Sequence, residues 1–223
     1  MYTKLVSLEQ ALEAIKDGTH LLYGGFGGIG SPDTLIEGIL QKGVKYLKIT
    51  GNDAAYPTVG IGRLISAGLV RTLVTSHIGS NPYAGQLMTA GELEVIFVPQ
   101  GILAEKIRAG GVGIPALLVD IGLGTIMEEG KQIIRFNGAN CLIEPAITAD
   151  VGIVYAKAAD TFGNLIYDKS ARNNNPLVAM AADITIAEVE EIVPVGELDP
   201  ELIVTPGIYV DYIVGRDGSW IRT

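Results

Sequence analysis

The residues best suited to chemistry form a glycine-rich turn near the N-terminus. Gly25, Gly27 and Gly30 match the pattern G-x-G-x-x-G between an apolar run and Ser31-Pro32-Asp33. Glycines at such a turn let backbone N–H groups approach a ligand closely, and the N-terminus of a following helix favours negative charge. The pattern predicts a site for an anion or an oxyanion. Its expected binding residues are Gly24, Gly25, Phe26, Gly27, Gly28, Ile29 and Gly30.

This turn has competing interpretations. One is a dinucleotide-binding turn, with Asp53 as the acidic residue expected about twenty positions later. The order of the elements weakens the dinucleotide interpretation. The first predicted strand here follows an N-terminal helix, and the acidic residue of a dinucleotide site should lie at the tip of the second strand, whereas Asp53 lies beyond Gly51-Asn52. Another is a purely structural strand-to-helix turn, which is common in α/β proteins. A site for a different anion or oxyanion is the third.

Other reactive side chains give weaker predictions. Glu144 lies in an apolar run, where a buried carboxylate favours an ion pair over a nucleophilic role. His77 follows Ser76, but no third member of a catalytic triad is evident. Cys141 lies in a predicted strand as a small buried apolar side chain. Because the chain has one cysteine and two histidines, a CxxC metal pair is impossible, and we predict no metal site.

Helix signals flank the turn on both sides. Apolar periodicity predicts a helix over residues 7–16, with Ser7 and Gln10 in capping-box spacing. A second helix is predicted from Ser31-Pro32-Asp33 to about Lys42-Gly43. In it Ser31 accepts from the first amides, Pro32 takes the first helical position and Asp33 complements the helix dipole.

A third helix carries Ile102, Leu103 and Ile107 on one stripe. Lys106 and Arg108 fall in its predicted last turn, before a stop at Gly110. Both cations could bind the phosphate groups of a ligand, but a favourable interaction with the helix dipole already explains their position in the last turn.

Strand signals alternate with these helices and then dominate. The alternation predicts an α/β fold with an open, mostly parallel sheet, flanking helices and a β-rich second half, in a single domain over residues 1–223. The predicted strands are 20–24, 46–50, 71–75, 93–98, 132–136, 141–143, 152–157, 184–189 and 209–214.

Composition limits the possible partners. The 16 basic and 25 acidic residues give a net charge of −9, which argues against a nucleic-acid surface because such surfaces neutralise phosphates. The N-terminal segment lacks the apolar core of a signal peptide, and the uncharged stretch 72–91 is too polar to span a membrane. A single cysteine suits a reducing compartment, so we expect a cytoplasmic protein.

Long motifs resemble the α subunit of family I CoA-transferases, most closely the type that acts on acetate, butyrate or acetoacetate. The likeness covers nearly the whole chain, and Tyr23 departs from the usual aliphatic residue. The motifs are Asp17-Gly18 followed by LLYGGFGGIGSP, then SHIGSNP (76–82), GELEVIFVPQGILAEKIRAGGVGIPA (91–116), GTIMEEGK (124–131), SARNNNPLVAMAADITI (170–186) and VGELDPELIVTPGIYVD (195–211).

The resemblance implies ping-pong covalent catalysis. In the family a glutamate of the β subunit, in a Glu-Asn-Gly type loop, attacks the acyl-CoA thioester and takes CoA, which the incoming carboxylate then receives. No Glu-Asn-Gly occurs in this chain. The implied partner is therefore a β subunit, as αβ or α2β2. Acyl-CoA and a carboxylic acid are then substrates, with no permanently bound cofactor.

The resemblance also assigns roles to polar residues of this chain. Asn52 and Gln100 match family positions close to the thioester and would donate to the oxyanion and position the substrate. The structural alternatives are an Asx-type turn at Asn52 and a helix start at Gln100. The family also shares a polar cluster at Arg172 and Asn173 to Asn175, which would brace the loop at the subunit interface.

Two functions of other classes remain open. A nicotinamide-dependent oxidoreductase would bind a dinucleotide with this chain alone. A non-catalytic protein with the same fold would bind CoA esters without turnover even beside the right partner.

Overall fold

The computed structural model describes residues 3–216. Its strands form one large and one small sheet. They are β1 (His20–Tyr23), β2 (Leu47–Thr50), β3 (Val70–Thr75), β4 (Glu94–Phe97), β5 (Ala116–Val119), β6 (Ile133–Phe136), β7 (Ala139–Pro145), β8 (Ala149–Asp160), β9 (Leu165–Ile166), β10 (Ala182–Val193) and β11 (Tyr212–Gly215). The α-helices are α1 (Leu8–Leu12), α2 (Asp33–Lys42), α3 (Gly62–Ser66), α4 (Pro82–Ala90), α5 (Gln100–Gly111) and α6 (Asn175–Ala181).

The large sheet is parallel except at one short strand. Its order is β11-β10-β8-β1-β2-β3-β4, with β9 antiparallel to β8. The small sheet, β5-β7-β6, is antiparallel. The predicted α/β class, with a mostly parallel sheet, flanking helices and a β-rich second half, is confirmed.

Buried apolar side chains cover both faces of the large sheet. Successive residues of a strand point to opposite faces. Accordingly Leu21 packs into one apolar cluster with Ile49, whereas Leu22 packs into a second with Val74 and Val154. Burial on both faces is typical of a parallel sheet and explains why its strands are apolar runs.

Several predicted helix ends are wrong. The capping box of Ser7 and Gln10 is present, but α1 ends at Leu12 instead of residue 16. Ser31 does not cap α2. The helix begins at Asp33, one residue later than predicted, so that Pro32 is the N-cap residue and no cap side chain accepts a hydrogen bond from the helix. Gly110 lies inside α5, where an added Cβ would sit 2.1 Å from the Ile147 carbonyl oxygen, so close packing explains this glycine.

The strands agree better, although β8 and β10 are longer than predicted. The predicted strands 152–157 and 184–189 extend to Ala149–Asp160 and Ala182–Val193, which pair along almost their whole length. The last strand begins at Tyr212 instead of residue 209, because a 3-10 turn occupies Gly207–Tyr209. No helix in residues 3–216 is long and apolar enough to cross a membrane.

Candidate functional site

The parallel strands bring the predicted site residues to one edge of the sheet. The glycine loop follows β1, Asn52 follows β2, Ser76 follows β3 and Gln100 begins the helix after β4. The carboxyl ends of neighbouring parallel strands meet at the same edge, where open α/β sheets bind ligands. Residues far apart in the sequence thus form one site.

The glycine loop is a tight turn with two exposed apolar side chains. Phe26 and Ile29 exchange backbone hydrogen bonds of 3.0 Å, and Gly27 and Gly28 between them have φ of 57° and 93°. Only glycine adopts such consecutive angles without strain. The turn leaves the side chains of Phe26 and Ile29 55% and 58% exposed.

Side chains from two distant segments fix this loop. Asp53, 5% exposed, accepts from the amides of Gly27 at 2.9 Å and Ala55 at 2.7 Å. Asn173 accepts from Gly25 N at 3.1 Å and donates to the Ile29 carbonyl oxygen at 3.0 Å. Asn173 therefore braces the glycine loop, a contact that the sequence did not predict.

These contacts consume most loop amides. Gly24, Gly25, Phe26, Gly27 and Ile29 all donate to acceptors of the chain itself. Among the seven loop residues, only the amides of Gly28 and Gly30 have no acceptor within residues 3–216. The loop can therefore offer a ligand two amides, fewer than its sequence suggests.

A buried carboxylate closes the N-terminus of α2. Glu188 on β10 accepts from Thr34 N at 2.7 Å and Leu35 N at 3.1 Å, and the Arg216 guanidinium lies 3.4 Å from its other oxygen. Burial raises the pKa of the Glu188 carboxyl to about 7, against the opposing effect of the backbone hydrogen bonds. This helix end is not available to an external anion. Since Asp53 also binds the loop itself, both features of the dinucleotide interpretation serve the fold.

Asn52, Gln100 and Ser76 form one hydrogen-bonded cluster. Asn52, buried, donates from Nδ2 to the Gly25 carbonyl oxygen at 3.1 Å and accepts from Gln100 Nε2 at 2.5 Å. Ser76 Oγ lies within hydrogen-bond distance of both Gln100 Oε1 and the Asn52 carbonyl oxygen. Gln100 is exposed and keeps a second Nε2–H that none of these contacts uses. The cluster can present a neutral donor at the sheet edge.

A cavity of about 250 Å³ lies beside this cluster. Its described lining includes one carboxylate, that of Asp53, and no lysine or arginine. Ser76 faces the amides of the cluster, so a Ser76–His77 pair is not the arrangement here. The lining residues are Phe26, Gly27, Asn52, Asp53, Tyr56, Ser76, His77 and Ser80.

The remaining candidates are structural. Glu144 binds Lys106 at 2.7 Å and also binds Lys131, and these contacts lower the pKa of its carboxyl although burial alone would raise it. Because α5 extends to Gly111, Lys106 lies before the last helical turn and not in it as predicted, whereas Arg108 lies in that turn as predicted and pairs with Glu105. Cys141 is half-buried on β7.

Comparison with known proteins gives the family. The family model for coenzyme A transferase matches residues 5–216. The chain belongs to the coenzyme A transferase family. It is 53% identical to a probable coenzyme A transferase subunit alpha of Bacillus subtilis, over 97% of this chain and 95% of the relative. It is 48% identical to the acetate CoA-transferase subunit alpha of Escherichia coli, over 96% of this chain and 97% of the relative.

A solved coenzyme A transferase has the same fold. The acyl-CoA transferase YdiF of Escherichia coli O157:H7 superposes with a TM-score of 0.87 at 24% identity. The match covers 99% of this chain and 48% of the YdiF chain, so this chain spans about half of that protein.

Sequence reasoning missed some of the residues that shape the site. Tyr56 lies outside the quoted motifs, Ser80 lies in SHIGSNP but was given no role, and Glu188 lies in a strand far from α2 in the sequence. An acidic residue inside an apolar run was the available signal for Glu188, because buried carboxylates need partners.

Proposed function

We propose that this chain is the α subunit of a heteromeric CoA-transferase, which moves CoA between a short-chain acyl-CoA and a free carboxylate. The observation that carries the proposal is the cluster of Asn52, Gln100 and Ser76 beside a cavity whose only described carboxylate, Asp53, is already bonded to two amides. Among the described residues, the site has a donor for an oxyanion and no free carboxylate to act as the nucleophile. A partner subunit would supply the attacking glutamate.

The chemistry divides between the two subunits. The partner glutamate attacks the thioester carbon, and the carbonyl oxygen becomes an oxyanion that Gln100 Nε2 stabilises. Collapse expels the CoA thiolate, which then adds to the glutamyl carbonyl, frees the first acid and leaves a glutamyl-CoA thioester. The second acid reverses these steps. The amides act without ionising, so this chain contributes positioning and electrostatic stabilisation.

The cavity favours small monocarboxylic acids. Its volume of about 250 Å³ is below the usual range of drug-sized ligand sites. Its described lining holds no lysine or arginine to pair with a second carboxylate, and the buried Asp53 carboxylate would repel one. The hydroxyl group of Tyr56 in the lining can donate to a 3-oxo group, whereas that of Ser80 already donates to the Ala55 carbonyl oxygen at 2.9 Å. Acetate, butyrate and acetoacetate are therefore the proposed acids.

Reconstitution tests this proposal. The tagged chain is purified natively from its host, and its partner is identified by the intact mass of the subunit. The mass of the native complex separates αβ from α2β2. CoA transfer from acetoacetyl-CoA to acetate is then measured for the complex and for the chain alone. Activity of the complex only is expected.

The alternatives give different outcomes. An NADH fluorescence titration of the chain alone would show saturable binding if the chain were a nicotinamide-dependent oxidoreductase. A complex that binds CoA esters without transfer would indicate the non-catalytic function instead.

A further inference from the structure

A second cavity lies on the other side of Phe26. It is an open groove of about 410 Å³ lined by Phe26, Ile29, Lys169, Ser170, Arg172 and Asn173. Because Phe26 also lines the first cavity, the two are neighbours across one side chain. A molecule whose reactive end occupies the first cavity can extend into this groove.

The cationic wall of the groove is fixed to the glycine loop. Asn173 bonds to Gly25 and Ile29 on the loop and also to the Ser170 carbonyl oxygen, at 3.0 to 3.1 Å. Asn173 has φ of 23°, a conformation that persists only where surrounding contacts enforce it. The side chain of Arg172 therefore extends from a rigid backbone segment directly beside the glycine loop.

The cations of this wall are available to a ligand. Arg172 is exposed and makes no ion pair within the described residues. Lys169 lies 3.3 Å from Asp168, but these side chains are 86% and 51% exposed, and exposed pairs of this kind bind weakly. In a chain with a net charge of −9, an anionic ligand needs such local cations.

The opposite wall is apolar. Phe26 and Ile29 are 55% and 58% exposed, so two adjacent large apolar residues of this wall are accessible to a ligand. A groove with one apolar and one cationic wall suits a ligand that carries an uncharged arm and phosphate groups. Coenzyme A esters have this chemistry, with the thioester at the end of the arm.

We propose that Arg172 and Lys169 bind the phosphate groups of the acyl-CoA, while Phe26 and Ile29 pack against its pantetheine arm. This inference rests on the proposed function and adds the phosphate-binding residues. Arginine binds phosphate with two parallel hydrogen bonds, so Arg172 carries most of the interaction. Lys106 and Arg108, the cations considered from the sequence, are not among the residues that line this groove, and Lys106 is paired with the buried Glu144.

Truncated substrates test the assignment in the reconstituted complex. We expect Arg172→Gln to raise KM for acetoacetyl-CoA about tenfold and Lys169→Gln to raise it less, with kcat changed less than about twofold. With acetoacetyl-pantetheine, which lacks every phosphate, wild type and both variants should have the same KM. Arg71→Gln is the matched control. It removes the same charge near the amino end of β3, whereas the site lies at the carboxyl ends of the strands.

Several outcomes would overturn the assignment. One is an unchanged KM for acetoacetyl-CoA. A second is an equal rise in KM for acetoacetyl-CoA and acetoacetyl-pantetheine, which would indicate a disturbed glycine loop. A third is weaker assembly with the partner subunit, which would indicate that Arg172 lies on a docking surface. If the wild-type complex transfers no CoA, the proposed function fails instead. Calorimetric binding of CoA and of pantetheine to wild type and Arg172→Gln then still tests the phosphate site.

Discussion

Replacement of Gln100 by alanine removes the exposed side-chain amide of the proposed site. Its Nε2 group bonds to Asn52 Oδ1 at 2.5 Å and keeps a second N–H. Loss of one preorganised oxyanion donor lowers kcat about 10²-fold to 10³-fold. We expect Gln100→Ala to lower kcat of the complex by that range, with little change in the KM for acyl-CoA.

The same replacement should leave the fold almost unchanged. Gln100 is exposed, so its loss removes hydrogen bonds worth about 1 kcal/mol and lowers Tm by about 2–4 °C at this size. A large fall in kcat with a small fall in Tm would therefore reflect a lost catalytic contact and not a folding defect. Gln41→Ala is the matched control, because Gln41 is an exposed glutamine whose Nε2 bonds to Glu37 at 2.9 Å on α2. A Gln100→Ala complex with the kcat of wild type would refute the role of Gln100.

Three further changes test the supports of the site. Asp53→Asn should lower the free energy of unfolding by about 1–3 kcal/mol in urea titrations, because asparagine keeps one carbonyl oxygen and either the Gly27 amide or the buried Ala55 amide loses its acceptor; an unchanged midpoint would contradict this. The raised pKa of Glu188, about 7, means that the folded state binds its proton more tightly than the unfolded state. Unfolding free energy should therefore fall by about 3 kcal/mol between pH 4.5 and 7 relative to Glu188→Gln, and parallel pH profiles of the two proteins would disprove it. Lys106→Met should cost about 2 kcal/mol by the same titrations, since Lys131 still pairs with Glu144; no cost would show that the pair is not structural.

The sequence predicts the sheet and the edge where the site lies. Strand signals depend on local apolar runs, and parallel strands share one carboxyl edge. The family resemblance, and not this geometry, identified Asn52 and Gln100 as site residues beside the glycine loop. The hydrogen bond between Asn52 and Gln100 confirms that the two amides belong to one cluster.

Contacts between distant segments were beyond this reasoning. Ser31 has the right type and position for a helix cap, but Glu188, 154 residues from Thr34, takes the amides of α2. A carboxylate is the stronger acceptor at a helix N-terminus, and only the pairing of β10 beside β8 brings it there. For the same reason Asn173 could be noted as polar from the sequence, but not assigned to the glycine loop.

The location of the covalent intermediate tests the central claim most directly. The reconstituted complex is incubated with acetoacetyl-CoA and no acceptor acid, denatured at low pH, and both subunits are weighed by mass spectrometry. We predict that the partner subunit gains the mass of CoA minus water, that this chain keeps its own mass, and that acetate removes the adduct. An adduct on this chain would contradict the division of the site between two subunits.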